Sequence, residues 1–293
     1  MQRLWQGWQS WVRRCQGWGW GSRYFGFIGL VLSLGIPLLG CVWLLLPLLP
    51  SATLELGAAL SLYVSLLVVV WGWAGVSRDP WTWLGFTPGW GWHGWVGWMS
   101  GAVGLGLMFV LEGWWGWLTW RSLPLGTWLG TGLYALLLGV AVAWVEELLF
   151  RAWLVNELAR DLRPLWVTGL SALIFAGLHF LKPLDVIVAT WMQFPGLVLM
   201  GVILLRARRQ VSLGLAIGLH AGWVSAFSTL SILAVVDYTG AVPEWVTGMG
   251  GNPLAGVLGF AFLALTGVGL KPLSGWLKES VGIPGEHGQS GRS

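Results

Sequence analysis

Residues Tyr134–Ala159 read YALLLGVAVAWVEELLFRAWLVNELA. Everything before Glu146 is apolar. Then come two adjacent acids, Glu146 and Glu147, and an arginine, Arg151, inside the same run. The segment is long enough to cross a hydrocarbon core of about 30 Å as a helix. An ionisable side chain at that depth costs about 3 kcal/mol or more unless it meets an opposite charge or a water-filled cavity, so such residues are functional candidates by default.

Two further polar points lie in apolar surroundings: His179 at the end of Phe175-Ala176-Gly177-Leu178-His179, and His220 within Gly218-Leu219-His220-Ala221-Gly222-Trp223. Around them the chain of 293 residues is 56% hydrophobic and 10% charged. A soluble domain carries roughly 25% charged residues, which excludes that class. Eight apolar segments follow: Phe25–Leu49, Leu56–Gly75, Val96–Trp117, Tyr134–Ala159, Leu165–Phe180, Val186–Leu205, Leu213–Val236 and Leu254–Leu270. The expected fold class is all-α, a polytopic membrane helical bundle of about eight transmembrane helices. Pro37 and Pro195 are expected to kink the first and sixth helices. The expected organisation is a basic cytosolic N-terminal segment over 1–24, a membrane domain over 25–272, and a polar, disordered tail over 273–293. The 26 Trp suit interfacial anchoring belts, and Gly is frequent in membrane helices. Cys15 and Cys41 have no metal-type spacing and give no reason to expect a disulfide.

With the N-terminus placed inside and eight spans alternating, thirteen Lys and Arg fall inside and two, Arg121 and Lys182, fall outside. That is a strong positive-inside bias, and it puts both termini in the cytosol. Depth agrees between segments at 1.5 Å per residue: Glu146 lies about 21 Å from Arg160, His179 about 22 Å from Pro164, and His220 about 16 Å from Arg209. Three helices thus carry their polar groups to a similar level. No basic stripe supports nucleic-acid binding.

Glu147 and Arg151, at i and i+4, can pair and neutralise each other. Glu146 points elsewhere and is left for other work. A carboxyl in a low-dielectric cavity suits a general base acting on water. Phe175 and His179 share the i, i+4 relation, and the small neighbours of His220 permit close helix approach. A glutamate beside two histidines fits amide hydrolysis, the histidines either ligating a metal or holding water and stabilising the oxyanion.

The order Glu-Glu-x-x-x-Arg, Phe-x-x-x-His and a third-helix His resembles the CPBP family of intramembrane proteases, the CAAX-protease and bacteriocin-processing or Abi proteins. The resemblance covers Val145 to about Trp223, within a core of about 134–236. It implies a helical membrane endopeptidase with Glu146, His179 and His220 as catalytic residues and Glu147, Arg151 and Phe175 in support. It leaves open zinc held by Glu146, His179 and His220. It implies substrates among membrane proteins and prenylated or otherwise hydrophobic peptides, in a bacterial inner or thylakoid-type membrane. The chain departs from the pattern once. The third motif is His-x-x-x-Asn, but Val224 stands where the Asn is expected, and Ser225 lies a further 100° round the helix.

That departure keeps a second reading in view, a non-proteolytic membrane scaffold or assembly factor. A proton-coupled transporter is weaker, since no internal repeat is visible. Among other residues, Glu112 reads as an interfacial carboxylate beside Trp114 and Trp115, His93 and His287 as solvent-exposed, Asp79-Pro80 as a turn, and Gly250-Gly251-Asn252-Pro253 as a turn into the last helix.

Overall fold

The computed structural model describes residues 2–17, 19–45 and 52–280; of the expected disordered tail over 273–293, residues 273–280 are instead helical, and 281–293, with His287, lie outside the described residues. The chain divides into two compact units, residues 1–84 and 85–293. The first holds α1 (Gln2–Gln16), α2 (Trp20–Leu45), α3 (Ala52–Ala74) and α4 (Pro80–Leu84). In α1 the spacing of apolar residues makes one sticky face: Val12 and Cys15 are buried while Arg13 and Arg14 are exposed. That face lies on α3, where Gly72 leaves the room that the Trp8 indole occupies. The expected turn at Asp79 is a helix cap. Asp79 Oδ1 accepts the Thr82 N–H at 3.2 Å, and the Thr82 hydroxyl with that N–H holds the Asp79 carboxyl below its ordinary pKa.

The second unit carries α5 (Trp90–Trp114), then β1 (Leu118–Trp120), then α6 (Leu125–Glu147). α6 runs without interruption into a π-helical stretch, Leu148–Leu154, and a last turn, α7 (Val155–Leu158). There follow α8 (Pro164–Leu178), α9 (Leu184–Thr190), α10 (Gln193–Gln210), α11 (Leu213–Leu233), β2 (Val236–Tyr238), α12 (Glu244–Thr247), two 3-10 turns over Met249–Gly251 and Pro253–Ala255, and α13 (Val257–Ser280).

Among the described residues each of the eight apolar segments is mostly helical, and the protein is an integral, multi-pass membrane protein. The spans are not all alike, however. Six described helices are long and apolar enough to cross a bilayer, and α9 with α10 make a seventh if counted as one span bent by 73°. The remaining segment, α8, has 15 residues, about 22 Å of helix, which falls short of a full crossing. The bend near Pro195 differs from expectation too. The chain breaks before Gln193, and Pro195 sits in the first turn of α10, where its missing N–H is not needed. The all-helical expectation also misses one small ribbon. β1 and β2 pair antiparallel, Leu118 opposite Tyr238 and Trp120 opposite Val236, and Arg121 bridges to Asp237 at 2.7 Å. Three-residue strands carry no periodic signal of their own.

α11 is the centre of this unit, between α5 and α6, and glycines make that possible. A Cβ at Gly97 would stand 2.7 Å from Leu215 O, one at Gly101 2.6 Å from Leu219 O, and one at Gly139 2.8 Å from Ala221 O. From the other side, Gly214, Gly218 and Gly222 of α11 lie against the carbonyls of Trp90, Gly94 and Trp98. The helices therefore touch backbone to backbone, the arrangement small residues allow in membranes. The start of α11 is fixed by Ser212, whose hydroxyl oxygen accepts the Leu215 N–H at 3.3 Å. Here His93 departs from its expected exposure. It is buried, with Nδ1 3.0 Å from Ser212 Oγ, because α5 begins against the start of α11.

Gly101→Leu is expected to lower thermal stability by about 1–3 kcal/mol or more, since the backbone of α11 has no room to yield. Gly106→Leu, where an added Cβ meets open space, is the control and should leave the melting temperature near that of the wild type.

Candidate active site

The polar residues singled out from the sequence converge in the second unit. Glu146 and Glu147 end α6, Arg151 sits in the π-helical stretch, His179 caps the C-terminus of α8, and His220 lies midway along α11. A π-helical turn holds one residue more than an α-turn and is often found at functional sites. The plain 3.6-residue pattern of the sequence gave no sign of it.

Glu147 is the hub. It has no exposed surface, and its Oε1 lies 3.0 Å from Arg151 Nη1 and 2.8 Å from His220 Nδ1. Arg151 is equally buried. The ion pair is close, yet no N–H of the guanidinium is aligned on an oxygen. The cation instead lies over the Phe175 ring, 4.2 Å from its centroid, an attraction that strengthens where water is excluded. Phe175 stands at the crossing point: its ring centroid is 4.6 Å from that of His179 and 6.2 Å from that of His220.

Both histidines are oriented through Nδ1. His220 Nδ1 faces a carboxylate, and His179 Nδ1 lies 2.8 Å from the Phe175 carbonyl oxygen. These partners only accept, so Nδ1–H donates in each ring, and the neutral tautomer of each carries its lone pair on Nε2. Both Nε2 atoms then face the second acid. Glu146 Oε2 is 3.8 Å from His179 Nε2 and 3.8 Å from His220 Nε2. Those distances are too long for direct hydrogen bonds and leave room for a small ligand shared by all three. Glu146 Oε2 is buried and has no other hydrogen-bond partner among the described residues.

Access comes from one side. The Glu146 side chain is 15% exposed and that of His179 34%, against 3% for His220. All three line a cavity of ≈ 200 Å³ whose remaining wall is almost wholly apolar, with Trp223, Val224 and Asn252 among its members. Trp223 and Asn252 were not among the site residues expected from the sequence. Trp223 lies three residues after His220, so helical spacing could have placed it there. Asn252 carried only a turn signal, and its place at the cavity depends on how α13 packs.

The donor types would suit zinc: two imidazole nitrogens anchored through Nδ1–H, and a carboxylate. Their placement does not. Among the described residues no three His, Cys, Asp or Glu side chains stand in metal-holding geometry. What the arrangement can do without an ion is hold water, with an imidazole lone pair to accept one hydrogen and a carboxylate to take the other. In the tautomer with Nδ1–H the histidines accept at Nε2 and can orient water.

Glu112 departs from its expected interfacial position. It is fully buried near the end of α5, where the Tyr238 hydroxyl lies 3.3 Å from its Oε2. The β1–β2 ribbon folds Tyr238 over it, which the sequence did not announce.

A carboxylate thus faces two imidazoles across a cavity within the helical bundle of a polytopic membrane protein. Residues 127–226, about a third of the chain, match the family model of the Type II CAAX prenyl endopeptidases, Rce1-like. This segment is therefore an Rce1-like domain of the CPBP or Abi group, a peptidase family, and it contains the two acids, Arg151, Phe175 and both histidines. Comparison with curated proteins and with solved structures gave no match.

Arg151→Met should destabilise the fold by about 3–5 kcal/mol, because it strands the Glu147 charge in the interior. Adding Glu147→Gln to it should recover most of that loss in thermal unfolding. Equal and additive losses from the two substitutions would contradict the pairing.

Proposed function

We propose that the protein is an intramembrane endopeptidase that hydrolyses a peptide bond of a membrane-bound or lipid-linked protein, with Glu146 as the base that activates water. The observation that carries this reading is the position of Glu146 Oε2, unpartnered and 3.8 Å from the Nε2 of both His179 and His220. Water between these atoms donates a hydrogen bond to an imidazole lone pair and loses its other proton to Glu146, leaving a hydroxide. Its oxygen attacks the carbonyl carbon of the substrate, and the resulting tetrahedral intermediate carries an oxyanion. Glu146 returns its proton to the amide nitrogen, and the carbon–nitrogen bond breaks. His179 and His220 are catalytic residues in the sense that they hold the water. Glu147, Arg151 and Phe175 fix the ring of His220 and the end of α6.

The apolar wall of the cavity supports a hydrophobic substrate, and the family match favours a prenylated protein. The proposed setting is a bacterial inner or thylakoid-type membrane with both termini cytosolic and the site in one membrane core domain. The placement of the donors gives no support to a metal-bound water, and no step passes through an ion. A scaffold that keeps the domain without proteolysis is the second reading, favoured by Val224 at the position where the family motif carries an Asn.

Glu146→Gln separates them. Gln fills the same space without the basic oxygen, so cleavage of a prenylated or transmembrane peptide by the protein in vesicles should fall by about 10²–10⁴-fold with the melting temperature unchanged. New protein termini present in the wild type should vanish equally from a deletion strain and from the Gln variant. Full activity of the Gln variant would contradict the assignment of the base. Full rescue of a deletion phenotype by Glu146→Gln, with no change in termini, would favour the scaffold. A chelator should leave the rate as it is.

A further inference from the structure

Hydrolysis of an amide needs a donor for the oxyanion as much as a base for the water. The donors around this cavity can be followed one by one. His220 Nδ1–H is taken by Glu147 and His179 Nδ1–H by the Phe175 carbonyl, and both Nε2 atoms face Glu146. Arg151 lies over the Phe175 ring and does not line the cavity. Val224, one helical turn beyond His220, lines the cavity and has no polar atom.

Two further donors that line the cavity are unspent. Asn252 uses its Oδ1 to accept the Leu254 N–H at 3.0 Å, and its Nδ2 has no acceptor among the described residues. The Trp223 indole Nε1–H is buried and likewise has no acceptor there, in a residue 6% exposed. The backbone that carries Asn252 is held on both sides. Asn252 N donates to Met249 O at 3.3 Å, and Ala255 N donates to Asn252 O at 2.9 Å. Gly196 of α10 gives way to the Leu254 carbonyl, and Gly259 of α13 gives way to that of Pro253. Gly250 and Gly251, at φ of 61° and 72°, allow the sharp approach to this position. An amide whose oxygen is fixed by its own loop presents its NH₂ in one orientation, which is the preorganisation an oxyanion donor requires.

We propose that Asn252 is a further catalytic residue, its side-chain amide donating to the oxyanion of the tetrahedral intermediate with the Trp223 indole N–H as second donor. This rests on the peptidase reading of Glu146. The water and base then come from α6, α8 and α11, and the amide donor from the segment that leads into α13.

The test uses the full-length protein in vesicles and a peptide that the wild type cleaves. Asn252→Asp and Asn252→Ser both keep an oxygen for the Leu254 N–H and remove the amide donor. Each should lower kcat by on the order of 100-fold or more with KM within about twofold and the melting temperature retained. Trp223→Phe, which keeps a ring against Phe262, should lower kcat in the same direction. Val224→Asn offers a new amide from the same cavity wall and should restore part of the rate in the Asn252→Ser background. Wild-type kcat in both Asn252 variants, with Glu146→Gln inactive, would overturn the role of Asn252 and leave the base assignment standing. A rise in KM alone, or no rescue by Val224→Asn alongside a lowered melting temperature, would make Asn252 a structural residue and overturn the proposal. A wild-type protein that cleaves no membrane peptide would overturn the peptidase reading first, and this inference with it.

Discussion

A carboxylate with no exposed surface inside a membrane protein must share its charge, and Glu147 shares it with two partners at once. Arg151 neutralises it from one turn further along the same helix, and His220 takes its remaining reach across to α11. Much of the site's geometry follows from that. The bond to Nδ1 settles which nitrogen of His220 carries the proton, and thereby turns a bare Nε2 toward Glu146. The guanidinium, short of aligned acceptors, lies on Phe175 and so seats the ring that packs against both histidines. Removing one member leaves a buried charge without its complement, which is why such chains act as units.

The apolar scaffold makes this chain possible by bringing α11 close. Side chains as short as those of Glu147 and His220 meet only if the helices nearly touch. Gly97 and Gly101 of α5, Gly139 of α6, and Gly214, Gly218 and Gly222 of α11 remove the atoms that would hold them apart. In lipid, where no hydrophobic force drives helices together, this backbone contact and the interhelical polar bonds supply the association. The same residues that look like weak helix formers in water are thus the ones that place the polar groups.

The sequence made much of this legible because the bilayer simplifies the problem. Charges are rare in such a chain, so Glu146, Glu147, Arg151, His179 and His220 stand out against an apolar background, and 1.5 Å per residue is enough to put them at one depth. Among the described residues each of the eight apolar segments is mostly helical. What could not be read were features set by tertiary packing. The π-helical stretch after Glu147 has no composition of its own. The helical face of His220 did not disclose its bond to Glu147, because that contact joins residues 73 apart in the chain. His93 and Glu112 seemed to be surface residues because they sit among tryptophans near helix ends, yet Ser212 and the β1–β2 ribbon cover them. Asn252 carried only a turn signal, and its place beside the site depends on the fit of Pro253 against Gly259.

The central claim is that the buried Arg151–Glu147–His220 chain fixes the tautomer of His220, its Nδ1–H donating to Glu147 and its Nε2 turned toward Glu146. Nitrogen-15 NMR of histidine-labelled protein in bilayers reads this directly, the His220 signals being assigned by their loss in His220→Asn. The account predicts that in the neutral ring Nδ1 carries the proton and Nε2 is bare. A proton on Nε2 with a bare Nδ1 would contradict it.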